Sequence, residues 1–237
     1  MFDETDIGCE RQWYIRIRAD IVVNNLRKRN IDAQFVQDRN EALSTVLAMI
    51  PEGVTIGRGD SVSVDQVGII QALKHRNTNT IIIDPHERDD DGNLKTNTEG
   101  KLLLSRQAML SDVFITGTNA ITMDGKMYNV DGFGNRVSAM IFGPSKVIVI
   151  VGINKIVNDL DEAYERVRQY AARMNAKRHV MKHHWHEFDD LPCVKTGKCS
   201  DCFHEMCMCR FTTIIACNMR KDKGRMNVVL VGEDLGI

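Results

Sequence analysis

Long hydrophobic runs are absent from this sequence, and their absence narrows the kind of protein that it encodes. The longest uninterrupted apolar runs, such as residues 147–151, are far shorter than the roughly 20 residues that a membrane-spanning helix needs. A basic segment followed by an apolar one, as in a secretory signal, is also missing near residue 1. We therefore expect a cytoplasmic protein that does not insert into membranes.

The sequence also lacks an excess of charge of either sign. It has 31 basic and 32 acidic residues among 237, so no strong overall field favours nucleic acid or an anionic membrane surface. It shows no Walker loop and no GxGxxG spacing of the kind that binds dinucleotides. We expect no nucleic-acid partner, and any redox chemistry would need an electron acceptor from another protein.

The cysteines are not distributed as they are in a secreted disulfide protein. Cys9 stands alone, and the other six lie between Cys193 and Cys217. A dense cluster near one end of a chain that we expect in the cytosol indicates a metal site rather than disulfides.

The pair Cys199-x2-Cys202 can bind one metal centre, because a tight turn brings both sulfurs to the same side. Two further thiolates are needed, and Cys193 and Cys209 flank the pair. Tetrahedral zinc and a 4Fe–4S cluster both accept four thiolates. With only one C-x2-C pair and uneven spacing around it, the pattern favours the iron–sulfur cluster. Zinc and reduced, buried cysteines are the alternatives.

Apolar periodicities of strand and helix alternate along the chain, which predicts an α/β fold with a parallel sheet. In the first helix, Trp13, Ile17, Ile21 and Leu26 fall at helical spacing and predict its buried face. At this length we expect one sizeable domain, residues 1–237. Helices are predicted at residues 10–30, 40–50, 64–74, 99–110 and 158–175, and strands at 33–36, 54–56, 80–84, 113–115, 120–122, 127–130, 146–151 and 226–232.

Two polar stretches, residues 86–98 and 177–190, show no periodicity and are predicted as loops. The first begins with His86, and the second contains three further histidines, His183, His184 and His186. We expect His86 on the surface. Because no second ligand group stands at a fixed spacing from the other three, we do not expect them to bind a metal.

The strand at residues 54–56 runs into the turn Gly57-Arg58-Gly59-Asp60-Ser61-Val62-Ser63. A strand, a glycine-flanked turn and a helix start together are typical of an anion site, since backbone N–H groups and serine hydroxyls point at the ligand. The alternative is that Ser61 or Ser63 only caps the following helix.

Residues 116–156 contain further polar loops at the ends of short apolar strands. Parallel strands end at the same edge of a sheet, so we expect these loops to meet the turn at residues 57–63 and form one ligand site. The candidate ligand-binding residues are Gly57, Arg58, Gly59, Asp60, Ser61, Ser63, Thr116, Gly117, Asn119, Asn135, Arg136, Asn154 and Lys155.

Candidate catalytic groups lie in the same loops. Arg136 and Lys155 could stabilise negative charge, and Asp131, Asp124 or Glu233 could act as acid or base. Each aspartate also has a structural interpretation: Asp124-Gly125 is a strong hairpin-turn signal, and Asp131 suits turn chemistry.

The stretch TGTNAITMDGKMYNVDGFGNRVSAMIFGPSKVIVIVGINKIV resembles the signature of the LUD (lactate-utilisation) domain family, and a looser likeness extends from Trp13 to VVLVGEDLG. The resemblance implies a three-layer α/β sandwich like that of sugar-phosphate isomerases and CoA transferases. In LUD proteins the loop that corresponds to residues 57–63 is rich in glycine and serine, which favours the ligand interpretation.

The resemblance also implies a ligand set for the cysteine-rich segment, residues 193–217. Family members with such a segment show a pattern like C-x5-C-x2-C-x6-C, which Cys193, Cys199, Cys202 and Cys209 match. The other two clustered cysteines, Cys207 and Cys217, lie outside this match.

Three functional hypotheses follow. The first is an iron–sulfur redox protein, or a subunit of one, in the oxidation of lactate or a related small organic acid, working with redox partner subunits. The second is a stand-alone isomerase or transferase that binds a phosphate, carboxylate or CoA-type anion at residues 57–63, with a structural metal. The third is a redox-sensing or scaffold protein without enzymatic activity. Each is compatible with a homo-oligomer.

Overall fold

Ten strands form two sheets in the protein, which a computed structural model describes for residues 4–76 and 79–237. The larger sheet has six parallel strands in the order β1-β10-β7-β4-β2-β3, and the smaller sheet has the order β8-β5-β6-β9. In chain order the strands are β1 (Asp32–Val36), β2 (Thr55–Arg58), β3 (Ile81–Ile83), β4 (Val113–Gly117), β5 (Ala120–Thr122), β6 (Met127–Asp131), β7 (Lys146–Gly152), β8 (Ile156–Val157), β9 (Phe211–Ile215) and β10 (Met226–Val231).

Helices connect the strands and cover the larger sheet. They are α1 (Gly8–Lys28), α2 (Arg39–Met49), α3 (Val62–Val67), α4 (Ile69–His75), α5 (Thr98–Ala108), α6 (Asn135–Ile141), α7 (Leu160–Arg166), α8 (Ala172–His183) and α9 (Pro192–Thr196). A π-helical turn, Val167–Ala171, joins α7 to α8. Among the described residues, no helix has both the length and the apolar character needed to cross a membrane.

The central strand β7 shows why the larger sheet is covered on both faces. Val147, Val149 and Val151 point into one hydrophobic core, and Ile148 and Ile150 point into the other. Successive side chains of a strand face opposite sides of the sheet, so a strand with only apolar side chains must be buried on both faces. Helices α1, α5 and α6 contribute to the first core and α2, α3 and α4 to the second. The predicted three-layer α/β sandwich is confirmed.

The predicted hairpin is present as β5 and β6, with Gly125 in its turn at a φ of +85°. It belongs to the smaller sheet rather than to the main one. Its outer strand pairs antiparallel with β9, from Met127 opposite Ile215 to Asp131 opposite Phe211. The end of the cysteine-rich segment is therefore a strand that attaches this segment to the hairpin.

The buried face of α1 differs from the predicted one. Its buried residues begin at Ala19 and include Leu26, whereas Trp13, Ile17 and Ile21 are 41–64% exposed. The helix has 21 residues, or roughly 30 Å, while the adjacent strand β1 has five residues, or roughly 17 Å. The helix is therefore longer than the strand beside it, and this strand cannot cover its whole length.

The predicted helix at residues 64–74 is two helices. Gly68 adopts a left-handed conformation, with φ +77° and ψ 20°, between α3 and α4. Because glycine has no Cβ, it adopts this conformation readily and ends the first helix.

The predicted helix at residues 158–175 is longer than expected. It begins after Asp159, whose side chain accepts a hydrogen bond from the backbone N–H of Glu162 at 2.9 Å, so Asp159 and not Asn158 is the N-cap. It then continues through the π-helical turn to His183. The prediction of a loop at residues 177–190 is wrong over its first half, because Ala176 and Val180 pack into a hydrophobic cluster of their own.

Candidate functional site

A charged cavity of about 310 Å³ opens where β2 and β3 end. We call it the β2–β3 cavity. Its lining contains four cationic and four carboxylate side chains, so opposite charges balance within it. The lining residues are Arg58, Lys74, Arg88, Arg178, Asp60, Asp65, Asp84, Glu87, His86, His183, Ile70 and Gln71.

Arg58 is the last residue of β2 and joins two walls of the cavity. Its guanidinium is 7% exposed and lies 2.9 Å from Asp65 Oδ1 and 3.5 Å from Asp84 Oδ2. A buried cation needs such partners, because the loss of hydration is otherwise uncompensated. Arg58, which the sequence predicts as ligand-binding, thus holds α3 and the loop after β3 in position around the cavity.

Asp60 is the acidic group at the centre of this arrangement. Its Oδ2 lies 2.6 Å from Arg178 Nη2, across 118 residues of sequence. Burial by itself would raise the pKa of Asp60, but His86, Arg178 and further basic neighbours hold it far below its usual value. The carboxylate is therefore ionised at any pH at which the protein would work.

His86 is half-buried in the lining of the cavity and not on the surface as predicted. The turn after β3 places it there, since its backbone N–H donates to Asp84 Oδ1 at 2.8 Å. Burial lowers its pKa to about 4, although Asp60 acts in the opposite direction. Its Nε2 is buried and has no hydrogen-bond partner among the described residues. A neutral imidazole with an unpaired nitrogen therefore borders the cavity.

Helix α8 closes the cavity from the other side and brings residues that sequence reasoning missed. Its Arg178 binds Asp60, and the Nδ1 atoms of His179 and His183 lie 2.8 Å apart. The ring of His179 stacks on Trp185 with centroids 4.9 Å apart. Burial lowers the pKa of His179 to about 3 and that of His183 to about 4. The sequence contained one signal for the pairing of these two histidines: a spacing of four residues, which places both on one face of a helix.

A second group of predicted residues meets at the ends of β4 and β7. Lys155 is 5% exposed, and its Nζ donates a hydrogen bond to Ser63 Oγ at 3.0 Å. Among the described residues, no carboxylate lies within salt-bridge distance of this ammonium. Burial, and then the positive charges of Arg166 and Arg136, lower the pKa of Lys155 to about 7.

Arg136 holds the loops of this second group together. Its guanidinium donates to the carbonyl oxygen of Gly117 at 3.1 Å and to the side-chain oxygens of Asn129 at 2.8 Å and Asn119 at 3.0 Å. It also lies 3.5 Å from Asp131 Oδ2. These bonds occupy the donors of Arg136 within the protein, so its side chain positions the strand ends.

The predicted glycines and serines of the turn after β2 make close contacts of their own. A Cβ on Gly59 would lie 2.8 Å from Thr116 Oγ1, and one on Gly57 would lie 2.5 Å from the Ala108 carbonyl oxygen. Ser61 Oγ accepts from the backbone N–H of Val64 at 3.4 Å and caps α3. The turn is therefore packed tightly against β4 and α5.

The remaining predicted residues lie at the edges of these groups. Asn154 Oδ1 accepts from the backbone N–H of Leu235 at 3.1 Å, and Asn135 is the first residue of α6. Asp124 forms ion pairs with Arg29 and Lys126, and Glu233 forms one with Arg39. The structure thus brings together Gly59, Thr116, Gly117, Asn119, Asp131 and Arg136, and places Asp124 and Glu233 in separate ion pairs.

Five thiols lie in α9 and in the segment that joins α9 to β9. Burial, followed by the charges of the other four thiols, raises the pKa of Cys209 to about 12; these four are Cys193, Cys199, Cys202 and Cys207. Among the described residues, no three His, Cys, Asp or Glu side chains stand at distances that would hold a metal ion. The donors suit a thiolate-bound metal in kind, because a cation would relieve the repulsion between them.

Comparisons with known proteins give a family and two structural likenesses. The LUD-domain model matches residues 19–231. A DUF162 family protein from Deinococcus radiodurans is 12% identical, with 93% of this chain and 98% of that chain covered and a TM-score of 0.48. The eIF2B delta subunit from Chaetomium thermophilum is 16% identical, with 70% and 64% covered and a TM-score of 0.33. No curated protein matches the sequence.

Proposed function

Given that the chain belongs to the LUD-domain family, whose name refers to lactate utilisation, we propose that it binds lactate or a related small hydroxy acid in the β2–β3 cavity and serves its oxidation. The observation that carries the proposal is the unpaired, buried Nε2 of His86, a residue that lines the cavity together with the ionised Asp60. Buried polar atoms are nearly always hydrogen-bonded, so an unpaired one beside a cavity indicates a ligand.

Arg88 supplies the recognition of the acid group. Of the four cations in the lining, it is the one that has no carboxylate in salt-bridge distance among the described residues. Its Nη1 donates to the Gly92 carbonyl oxygen at 2.6 Å, which leaves other N–H groups for a ligand. A guanidinium binds a carboxylate through two parallel hydrogen bonds, and so Arg88 suits the carboxylate of a small acid.

His86 and Asp60 supply the acid–base chemistry. With a pKa of about 4, His86 is neutral near pH 7, so its Nε2 can accept the proton of a ligand hydroxyl. The negative charge of Asp60 stabilises the imidazolium that results, since it already acts to raise the pKa of His86. Oxidation also removes the hydrogen on the hydroxyl-bearing carbon together with two electrons, and this hydride would have to go to a hydride acceptor on a redox partner subunit.

The cysteine-rich segment is proposed to hold the redox group. Cys193, Cys199, Cys202 and Cys209 would bind a 4Fe–4S cluster, with zinc as the alternative metal. Such a cluster transfers single electrons when it is bound. The mutual effect of these thiols on the pKa of Cys209 supports a common site. Redox partner subunits, which would accept the electrons, are part of the proposal.

Ligand binding tests the first half of the proposal. Arg88→Gln should weaken the binding of L-lactate by about 10- to 100-fold, which corresponds to the loss of a charged hydrogen-bonded pair. Isothermal titration calorimetry measures this change. Lys74→Gln is the matched control, because Lys74 lines the same cavity but is already paired with Glu87 at 2.6 Å. Equal losses in both variants would show a general charge effect and not a carboxylate site.

Metal analysis tests the second half. Anaerobically purified protein should contain iron and sulfide and absorb broadly near 400 nm, as thiolate-bound clusters do. Replacement of any of the four proposed cysteine ligands by serine should remove this absorbance, whereas Cys217→Ser, at an exposed thiol, should not. Zinc without colour would overturn the redox role and favour an isomerase or transferase with a structural metal.

A further inference from the structure

We propose that Lys155 is a second reactive group, an amine nucleophile that condenses with the carbonyl group of a small 2-oxo acid, and that Gly236 and Ile237 form its movable cover. This site lies outside the β2–β3 cavity, and neither Lys155 nor Ser63 lines that cavity. The proposal therefore does not depend on the function proposed above.

The surroundings of Lys155 favour a free amine. Its Nζ is buried, and its hydrogen bond goes to the hydroxyl of Ser63, which is 0% exposed. A buried ammonium without a counter-ion loses its hydration and gains nothing in return, so the neutral form is favoured. A pKa of about 7 agrees with this geometry. Lysines that attack carbonyl groups are activated in the same way, by burial and by neighbouring cations.

The two neighbouring guanidiniums indicate the class of carbonyl compound. Arg166 donates to the carbonyl oxygens of Asn119 at 2.6 Å and Asn154 at 3.2 Å, and Arg136 is bound within its own loops. Both therefore keep their places while their positive charge acts on Lys155. A carboxylate next to the reacting carbonyl group would be attracted by this charge, which is why we name a 2-oxo acid.

The reaction is a condensation without a change of oxidation state. The lone pair of Nζ attacks the carbonyl carbon and forms a C–N bond. The carbonyl oxygen then leaves as water with the two hydrogens of the amine, and an imine with a C=N bond remains. No oxidant, reductant or other co-reactant is consumed.

The cover is formed by the backbone at Gly236. A Cβ at this position would lie 2.4 Å from Ser63 Oγ and 2.8 Å from Lys155 Nζ, so the backbone rests directly on the pair. Leu235 before it is 0% exposed and anchors the segment in a hydrophobic core. Two hydrogen bonds hold the segment beyond that anchor. Gly236 N–H donates to Gln66 Oε1 at 2.6 Å, and the Ile237 carbonyl oxygen accepts from Arg166 at 3.5 Å.

Gly236 is suited to be the pivot of this movement. It has a φ of +67°, in the left-handed region that glycine adopts more easily than other residues. Rotation at this residue would lift Ile237 while Leu235 stays in the core. The amine would then become accessible without unfolding of the sheet.

Trapping with borohydride tests the proposal on the full chain. The protein is incubated with pyruvate and sodium cyanoborohydride, and the modified lysine is located by mass spectrometry of peptides. We expect one main adduct, on Lys155, whose rate of formation increases as the pH rises through about 7. Lys155→Arg should abolish this adduct, and Lys101→Arg, at a half-buried lysine elsewhere in the protein, should leave it unchanged.

The cover is tested by Gln66→Ala, which removes one of its two hydrogen bonds at an exposed position. We expect adduct formation on Lys155 to become at least threefold faster than in the parent protein. Gln107→Ala, another exposed glutamine, is the matched control and should not change the rate. Thermal unfolding verifies that each variant is folded.

Three results would overturn the proposal or one of its two parts. The absence of an adduct on Lys155 in both the parent and Gln66→Ala would exclude a reactive amine. Equal labelling of surface lysines and Lys155 would show ordinary lysine reactivity. If Gln66→Ala leaves the rate unchanged, the movable cover is wrong. Lactate binding at Arg88 is measured separately, so a failure of the Lys155 proposal is distinguishable from a failure of the proposed lactate site.

Discussion

At the scale of single residues, Lys155 shows how one buried charge affects the pH dependence of folding. Its pKa of about 7 in the folded protein lies below the ordinary value of 10.5. Between these two values the unfolded chain binds more protons than the folded one, so the free energy of unfolding rises with pH across that window. Below pH 7 the lysine is charged in both states, and the folded protein bears the full unfavourable effect of burying it.

Lys155→Met should therefore stabilise the protein at pH 7, by on the order of 3 kcal/mol. It should also remove most of the increase in stability between pH 7 and pH 9. Urea unfolding at these two pH values measures both effects. Lys74→Met is the control, because Lys74 is 42% exposed and paired with Glu87. Parallel pH profiles for the parent and Lys155→Met would contradict the expectation.

At the scale of elements, the break between α3 and α4 determines what each helix presents to its surroundings. α3 contains Ser63 and Asp65, which contact Lys155 and Arg58, and α4 places Ile70 and Lys74 in the lining of the β2–β3 cavity. Gly68 between them has a φ of +77°. A left-handed glycine at this position ends α3, and α4 begins directly after it.

Gly68→Ala should reduce the free energy of unfolding by about 1 kcal/mol, which is the effect of a left-handed conformation on a residue with a Cβ. Among the described residues, no atom lies within 4 Å of the position that this Cβ would take, so the effect comes from the backbone alone. Gly68→Asn should reduce the free energy of unfolding by less, because asparagine tolerates this conformation better. Chemical denaturation compares the two, and equal losses would show that the conformation is not the cause.

At the scale of the whole molecule, the turn at Gly125 joins the smaller sheet to the helix layer of the larger one. A Cβ on Gly125 would lie 2.9 Å from the backbone nitrogen of Leu26 in α1. Arg29, near the end of α1, also donates to the Asp124 carbonyl oxygen at 2.6 Å. This contact joins the hairpin, and with it the paired strand of the cysteine-rich segment, to α1.

Gly125→Ala should reduce the free energy of unfolding by roughly 2–4 kcal/mol, since overpacking adds to the unfavourable backbone conformation. Gly53→Ala is the matched control: Gly53 has a similar φ of +71°, but no atom in the part of the chain that the structure describes lies within 4 Å of its added Cβ. In this control the free energy of unfolding should fall by only about 1 kcal/mol. Similar losses in both variants would show that the contact between the hairpin and α1 is unimportant for stability.

The sequence by itself determined the features that depend on neighbouring residues. Alternating strand and helix periods predict an α/β fold with a parallel sheet, and Asp124-Gly125 predicts the hairpin, because apolar spacing and turn chemistry act over a few residues. The three-layer arrangement was implied only by the resemblance to the LUD family. Polar loops after β4 and β7 were expected at one edge of the sheet, and Lys155 does meet Ser63 there. Parallel topology alone brings such strand ends together.

The tertiary structure decided which distant residues meet. Asp60 and Arg178 are 118 residues apart, and no local pattern specifies that α8 packs across the end of β2. The same holds for His86, whose burial depends on the turn after β3 and the elements around it. Burial and charge pairing are properties of the packed molecule, and they set the pKa values on which the proposed chemistry depends. Local sequence selects the elements, whereas only their packing creates the charged cavity.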